Sequence, residues 1–167
     1  MSNLPVLHYD DADMAKVLRS VKTIAMIGAS ANWVRPSNFA MKYLLGKGYR
    51  VIPINPGQAG KEILGQMTYA TLADAPGPID MVDIFRASEA AGKSADEALD
   101  VADEKNIKII WMQLGVRHDE AAARAEAKGL TVIMDRCPKI EYGRLFGELG
   151  WSGVNSGIIT AKRRKLG

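Results

Sequence analysis

The chain has 167 residues, of which 47% are hydrophobic and 25% charged, and a formal net charge of +3. This size and composition fit one globular domain with a sizeable core. No uncharged apolar run approaches the ~18 residues of a membrane span, and the one cysteine, Cys137, excludes an internal disulfide.

Asp11 opens a first helical stretch, 11–20. The N-terminal residues before it lack the basic start and apolar run of a secretory signal. Five short apolar runs follow along the chain: 23–28, 49–54, 81–85, 107–112 and 131–134. They are rich in Ile, Val and Met and nearly continuous, as expected of strands covered on both faces. Helical segments lie between them. The first, 36–45, begins with Pro36, a residue suited to a first helical turn. The second, 88–104, has Ser88 as its expected N-cap and apolar Ala91, Ala95, Ala98 and Val101 at helical spacing. The third, 118–128, is Ala-rich and ends at Gly129. The closing helix is 138–149. The stretch 55–78 holds Pro56, Gly57, Gly60, Gly65, Pro76, Gly77 and Pro78, so turns are expected there, with one short helix near Leu72.

Lys162, Arg163, Arg164 and Lys165 stand together at the C-terminal end. Without them the chain carries 18 basic and 19 acidic side chains. The basic excess therefore belongs to a tail, read as a solvated end, and no basic face for nucleic acid is expected. Residues 1–150 are read as one domain and 151–167 as an extension. Leu145, Phe146, Leu149 and Trp151 form an apolar segment that is a candidate homodimer contact. The single cysteine also points to a reducing, cytoplasmic setting.

Alternating strand and helix predict an α/β, Rossmann-like three-layer sandwich with a five-stranded parallel sheet. In such sheets ligands bind at the carboxyl ends of the strands. The loops there are Gly28-Ala29-Ser30, Pro53-Ile54-Asn55-Pro56, Phe85-Arg86, Gln113-Leu114-Gly115 and Asp135-Arg136-Cys137.

In the first loop, Gly28 allows close backbone approach. The following helix start, with Arg35 and the hydroxyls of Ser30 and Ser37, suits a phosphate or diphosphate. A plain tight turn is the alternative. The ligand is not expected to be NAD. Ser30 and Trp33 stand where the dinucleotide fingerprint needs glycines, and the second strand ends in Pro53-Ile54-Asn55-Pro56 without a ribose-binding Asp or Glu. Pattern alone leads to a phosphate-bearing nucleotide of another kind.

Seven segments in order carry a family resemblance over about residues 24–145. They are Ile27-Gly28-Ala29-Ser30, Arg35-Pro36-Ser37, the run from Gly48 to Pro56, Glu62-Ile63-Leu64-Gly65, Val82-Asp83-Ile84-Phe85-Arg86, the run from Trp111 to Val116, and Met134-Asp135-Arg136-Cys137. The chain resembles the small stand-alone CoA-binding proteins, which are similar to the CoA-binding domain of the succinyl-CoA synthetase alpha subunit. The resemblance implies coenzyme A, or an acyl-CoA, as ligand. It implies that Gly28, Ala29 and Ser30 face the diphosphate and that Pro53, Asn55 and Pro56 line the adenosine side. Phe85 and Arg86 would border the diphosphate or the pantetheine arm, and Gln113, Leu114 and Gly115 would follow that arm. The synthetase subunit has a lysine after the Pro-Gly turn; here that place holds Gln58, with Lys61 three residues on.

Each of these side chains also has a structural reading. Asn55-Pro56 also reads as a turn, Phe85 as core, and Gln113 as a backbone hydrogen-bonding group. Trp33 either caps the crevice or packs under the first loop. Cys137 reads as a half-buried thiol, and His118 as a solvent-facing residue at a helix start. Neither His8 nor His118 sits in a catalytic or metal-binding pattern. The synthetase's phosphorylated histidine lies in a second domain with no counterpart here. The expectation is therefore a non-catalytic CoA-binding module. The alternatives are the nucleotide-binding subunit of a multi-chain acyl-CoA ligase or transferase with an ATP-grasp partner chain, and, third, an NAD(P)-binding regulator.

Overall fold

The apolar runs become strands because both of their faces are covered. In the computed structural model, which describes residues 4–147, the strands are β1 (Thr23–Ile27), β2 (Arg50–Ile54), β5 (Met81–Ile84), β6 (Ile109–Met112) and β7 (Thr131–Ile133). Each is shorter by a residue or two than its apolar run. β5 and β6 are buried at every position. The sheet is parallel throughout, in the order β2-β1-β5-β6-β7. The chain runs outward from β1 to β2, then returns to the other side of β1 to form β5. The switch point therefore lies between the carboxyl ends of β1 and β5.

Helices α1 (Asp11–Ser20), α2 (Pro36–Gly46), α3 (Ser88–Lys105), α4 (Asp119–Ala127) and α5 (Pro138–Leu145) complete the element order. Packing separates the described residues into two compact units. One runs up to Ser20 and resumes at Pro138; the other is Val21–Cys137. The first unit contains α1 and α5. Within it Arg144 bonds the carboxylates of Asp11, at 2.9 Å, and Glu141, at 2.8 Å. The second unit holds the sheet, α2, α3 and α4, and all five loops at the carboxyl ends of the strands.

Several local expectations are corrected. α3 has Ala87 as its N-cap, with no side-chain cap. The Ser88 hydroxyl instead accepts from the backbone N–H of Arg117, because the β6–α4 loop lies close enough to compete for it. Near Leu72 there is one turn and no helix, held by Asp74 N–H to Thr71 O and Ala75 N–H to Leu72 O. The Gly-rich segment before it folds into a small antiparallel hairpin, β3 (Glu62–Ile63) with β4 (Gln66–Met67), turned by Leu64 and Gly65 at positive φ. The segment after the hairpin lies along the outer edge of β2: Tyr69 N–H bonds Pro53 O, and Asn55 N–H bonds Tyr69 O. Pro53 is tolerated in β2 because that strand is at the edge of the sheet, where a missing N–H breaks no ladder bond. The closing helix ends at Leu145 within the described residues, so Leu149, Trp151 and the basic tail lie outside them.

Candidate functional site

The first loop is tied down by short polar side chains. Gly28 leaves β1 at φ +84 and donates its N–H to Ile54 O. A Cβ added at Gly28 would collide with the carbonyl oxygen of Phe85. Only glycine lets the ends of β1 and β5 cross this closely, and the crossing is at the switch point. Beyond it, the Ser30 hydroxyl accepts from Asn32 N–H, and the Asn32 side chain accepts from Val34 N–H. Asn38, buried in the first turn of α2, donates to Ser30 O at 2.9 Å. Ala29 is fully buried. Ala29 and Ser30 therefore act through their backbone and through turn bonds.

The second loop braces the first. Asn55 Nδ2 donates to Ala29 O at 2.8 Å, and its Oδ1 accepts from Gly57 N–H at 2.9 Å. Both readings of Asn55-Pro56 meet here: it is a turn, with a short helical turn over Pro56–Gln58, and it shapes the crevice edge. Pro53 is buried within β2 and Pro56 is exposed. Lys61, also exposed, donates its N–H to Gln58 O.

Side chains around the remaining loops divide into exposed and committed groups. Trp33 is 74% exposed, so it does not pack beneath the first loop. Val34, Arg35, Pro36 and Leu114 are exposed as well, while Ser37 is buried in the first turn of α2. Phe85 and Arg86 are half-buried. The Nε of Arg86 is fully covered, yet has no hydrogen-bond partner among the described residues. A covered guanidinium donor of this kind needs an acceptor. Gln113 is buried; it donates to Asp83 and accepts from Leu114 N–H. Gly115 N–H is held by Asp135 Oδ1 at 2.6 Å, with Asp135 itself at φ +55. Trp111 Nε1 bonds Arg136 O, which pins the fifth loop to β6. Cys137 is half-buried.

His118 does not face solvent. It caps α4, its Nδ1 accepting from Ala121 N–H at 3.1 Å, and its side chain is 19% exposed. Its ring lies against Gly92, where a Cβ would come within 2.5 Å of it. Beside it Arg117 bonds both carboxylate oxygens of Asp119, at 2.6 and 2.8 Å, and this bonding holds the Asp119 carboxyl below the usual range.

Asn38 and Asp83 brace these loops and were not singled out by patterning, while Asp135 was placed only as a member of the fifth loop. A polar residue in the middle of the apolar run Met81-Val82-Asp83-Ile84 was the available signal for Asp83. The bond of Asn38 runs from α2 to the first loop and that of Asp135 from the fifth loop to Gly115, so no local pattern marks either bond.

The arrangement is that of a Rossmann-like α/β domain: a parallel sheet, a glycine crossing at its switch point and a helix start after the first loop. The chain belongs to the CoA binding domain family, whose model matches residues 22–143. Membership supports coenzyme A as the ligand. The chain is 36% identical over 131 residues to the uncharacterized protein YneT of Bacillus subtilis, covering 78% of this chain and 93% of that one. It is similar to a hypothetical protein from Pyrococcus horikoshii OT3, with 33% identity, a TM-score of 0.78, and coverage of 88% and 99%. A Thermus thermophilus protein, cell-free ID.343, matches at 35% identity and a TM-score of 0.76, covering 83% of this chain and 100% of that one. Among the described residues no helix is long and apolar enough to cross a membrane.

Proposed function

We propose that this protein is a non-catalytic binding module for coenzyme A or an acyl-CoA, held across the carboxyl ends of the sheet. The observation that carries this reading is the match of residues 22–143 to the CoA binding domain family, together with the close glycine crossing at the β1–β5 switch point. Arg86 and Arg35 hold the phosphates, with the first loop's backbone around Gly28 closing on them. Trp33 and Leu114, both exposed, offer apolar surface to the ligand's rings and arm. The absence of catalysis is read from the commitments of the polar side chains. Ser30, Asn32, Asn38, Asn55 and Asp135 each bond a backbone group of the loops. They hold shape and are not poised to transfer a proton.

Isothermal titration of the full chain with coenzyme A, ADP and NAD tests the ligand. Heat is expected from coenzyme A, less from ADP and none from NAD. A folded sample that gives no heat with coenzyme A would overturn the reading. Incubation with acetyl-CoA, following free thiol, tests the rest: steady thiol release by the pure protein would show a catalyst.

A further inference from the structure

Asp83 is 0% exposed in the middle of β5, flanked in register by Met26 of β1 and Trp111 of β6. A carboxyl group at such a position costs free energy unless it is bonded. Its partner is Gln113, whose Nε2 donates to Asp83 Oδ1 at 3.4 Å, while Oδ2 has no partner among the described residues. Burial pushes the carboxyl up to about 8, against the opposing effect of the Gln113 bond. Burial in the core thus favours the protonated, uncharged form.

Gln113 links this acid to a ligand loop. Its backbone N–H bonds Ile84 O, which fixes its Cα at the end of β6. Its side-chain Oε1 accepts from Leu114 N–H at 3.3 Å. A glutamine amide has a donor end and an acceptor end, and neighbouring groups alone decide which points where. An acceptor at Asp83 draws the NH₂ end inward and leaves Oε1 for Leu114 N–H. With no acceptor at position 83 the amide is free to turn, and Leu114 N–H would then face a donor. The bonds thus run from the centre of the sheet to an exposed loop tip, where Gly115, at φ +82, is held in turn by Asp135.

We propose that Asp83 is a positioning residue: through Gln113 it sets the 113–115 loop in the conformation that receives the coenzyme. The consequence for binding rests on the coenzyme reading above; the consequence for the loop does not.

The test uses the full chain with Asp83→Asn, Asp83→Leu and Asp83→Ala. Two readouts are taken: hydrogen exchange at the Leu114 amide without ligand, and coenzyme A affinity by titration. Asp83→Asn keeps an acceptor oxygen and no charge, so both readouts should stay within about twofold of the wild type. Asp83→Leu fills the space without an acceptor; exchange at Leu114 should quicken about tenfold and affinity fall about tenfold, as expected for one lost hydrogen bond. Unchanged exchange and affinity in Asp83→Leu would make Asp83 mere filling and overturn the proposal, as would an Asp83→Asn variant as impaired as Asp83→Leu. Should Asp83→Leu not fold, Asp83→Ala decides, since it also lacks an acceptor: faster Leu114 exchange supports the proposal and normal exchange refutes it. A wild-type protein that binds no coenzyme A would sink the site reading, while Leu114 exchange would still judge Asp83.

Discussion

Replacing Asp83 with Asn should remove a pH dependence from the stability of the fold. In an unfolded chain an aspartic acid loses its proton near pH 3.9. In the native protein burial holds the Asp83 proton up to about pH 8. Between these values the native state binds one more proton than the unfolded state, so its stability falls as pH rises. The slope is about 1.4 kcal/mol per pH unit, starting above about pH 4 and levelling off above about pH 8, where both states are ionised. Asn at position 83 never ionises and contributes no such slope. Asp11 and Asp119 act oppositely, since their arginine partners lower their pKa values and their contribution is lost only as pH falls through the acid range. They are common to both proteins and cancel in the difference. Urea unfolding of both proteins at pH 5, 6 and 7 measures it, with equal m-values as the check that the unfolded states match. From pH 5 to pH 7 the difference should move by about 2.7 kcal/mol in favour of Asp83→Asn. A difference that stays flat across this range would refute the claim that the buried acid keeps its proton.

Gly28→Ala should destabilise the protein by about 2 kcal/mol or more, since it combines a residue at φ +84 with a Cβ driven onto the Phe85 carbonyl; denaturant melts would show it, and a change under about 0.5 kcal/mol would mean the strand ends can separate. Arg35→Ala and Arg86→Ala should each weaken coenzyme A binding by about 1–3 kcal/mol, the range for a charged hydrogen bond. Titration calorimetry that finds both affinities unchanged would move the ligand elsewhere. His118→Ala should cost about 0.5–2 kcal/mol through the lost cap of α4, with His118→Asn recovering most of it; thermal unfolding of the pair checks this.

The family resemblance, the five strands and the loops that follow them were legible in the chain itself. Runs such as Ile24-Ala25-Met26-Ile27 between helical stretches admit one arrangement, a parallel sheet covered on both faces. Gly28 and Arg86 stood out for the same reason: each is the wrong residue for the end of a buried strand unless something approaches it closely. What the chain did not disclose were bonds between segments far apart in sequence. The Ser88 hydroxyl goes to Arg117 and leaves α3 uncapped. His118 turns inward because Gly92, on another helix, leaves room for its ring. Trp33 stays exposed where packing under the first loop was the favoured expectation. Asp83 and Gln113 lie 30 positions apart and meet because β5 and β6 are neighbours in register. Local composition decides which segments are strands and helices, since periodicity and propensity act within a few residues. Which polar groups satisfy one another is decided only when the strands are laid side by side, because a hydrogen bond depends on distance in space and not along the chain.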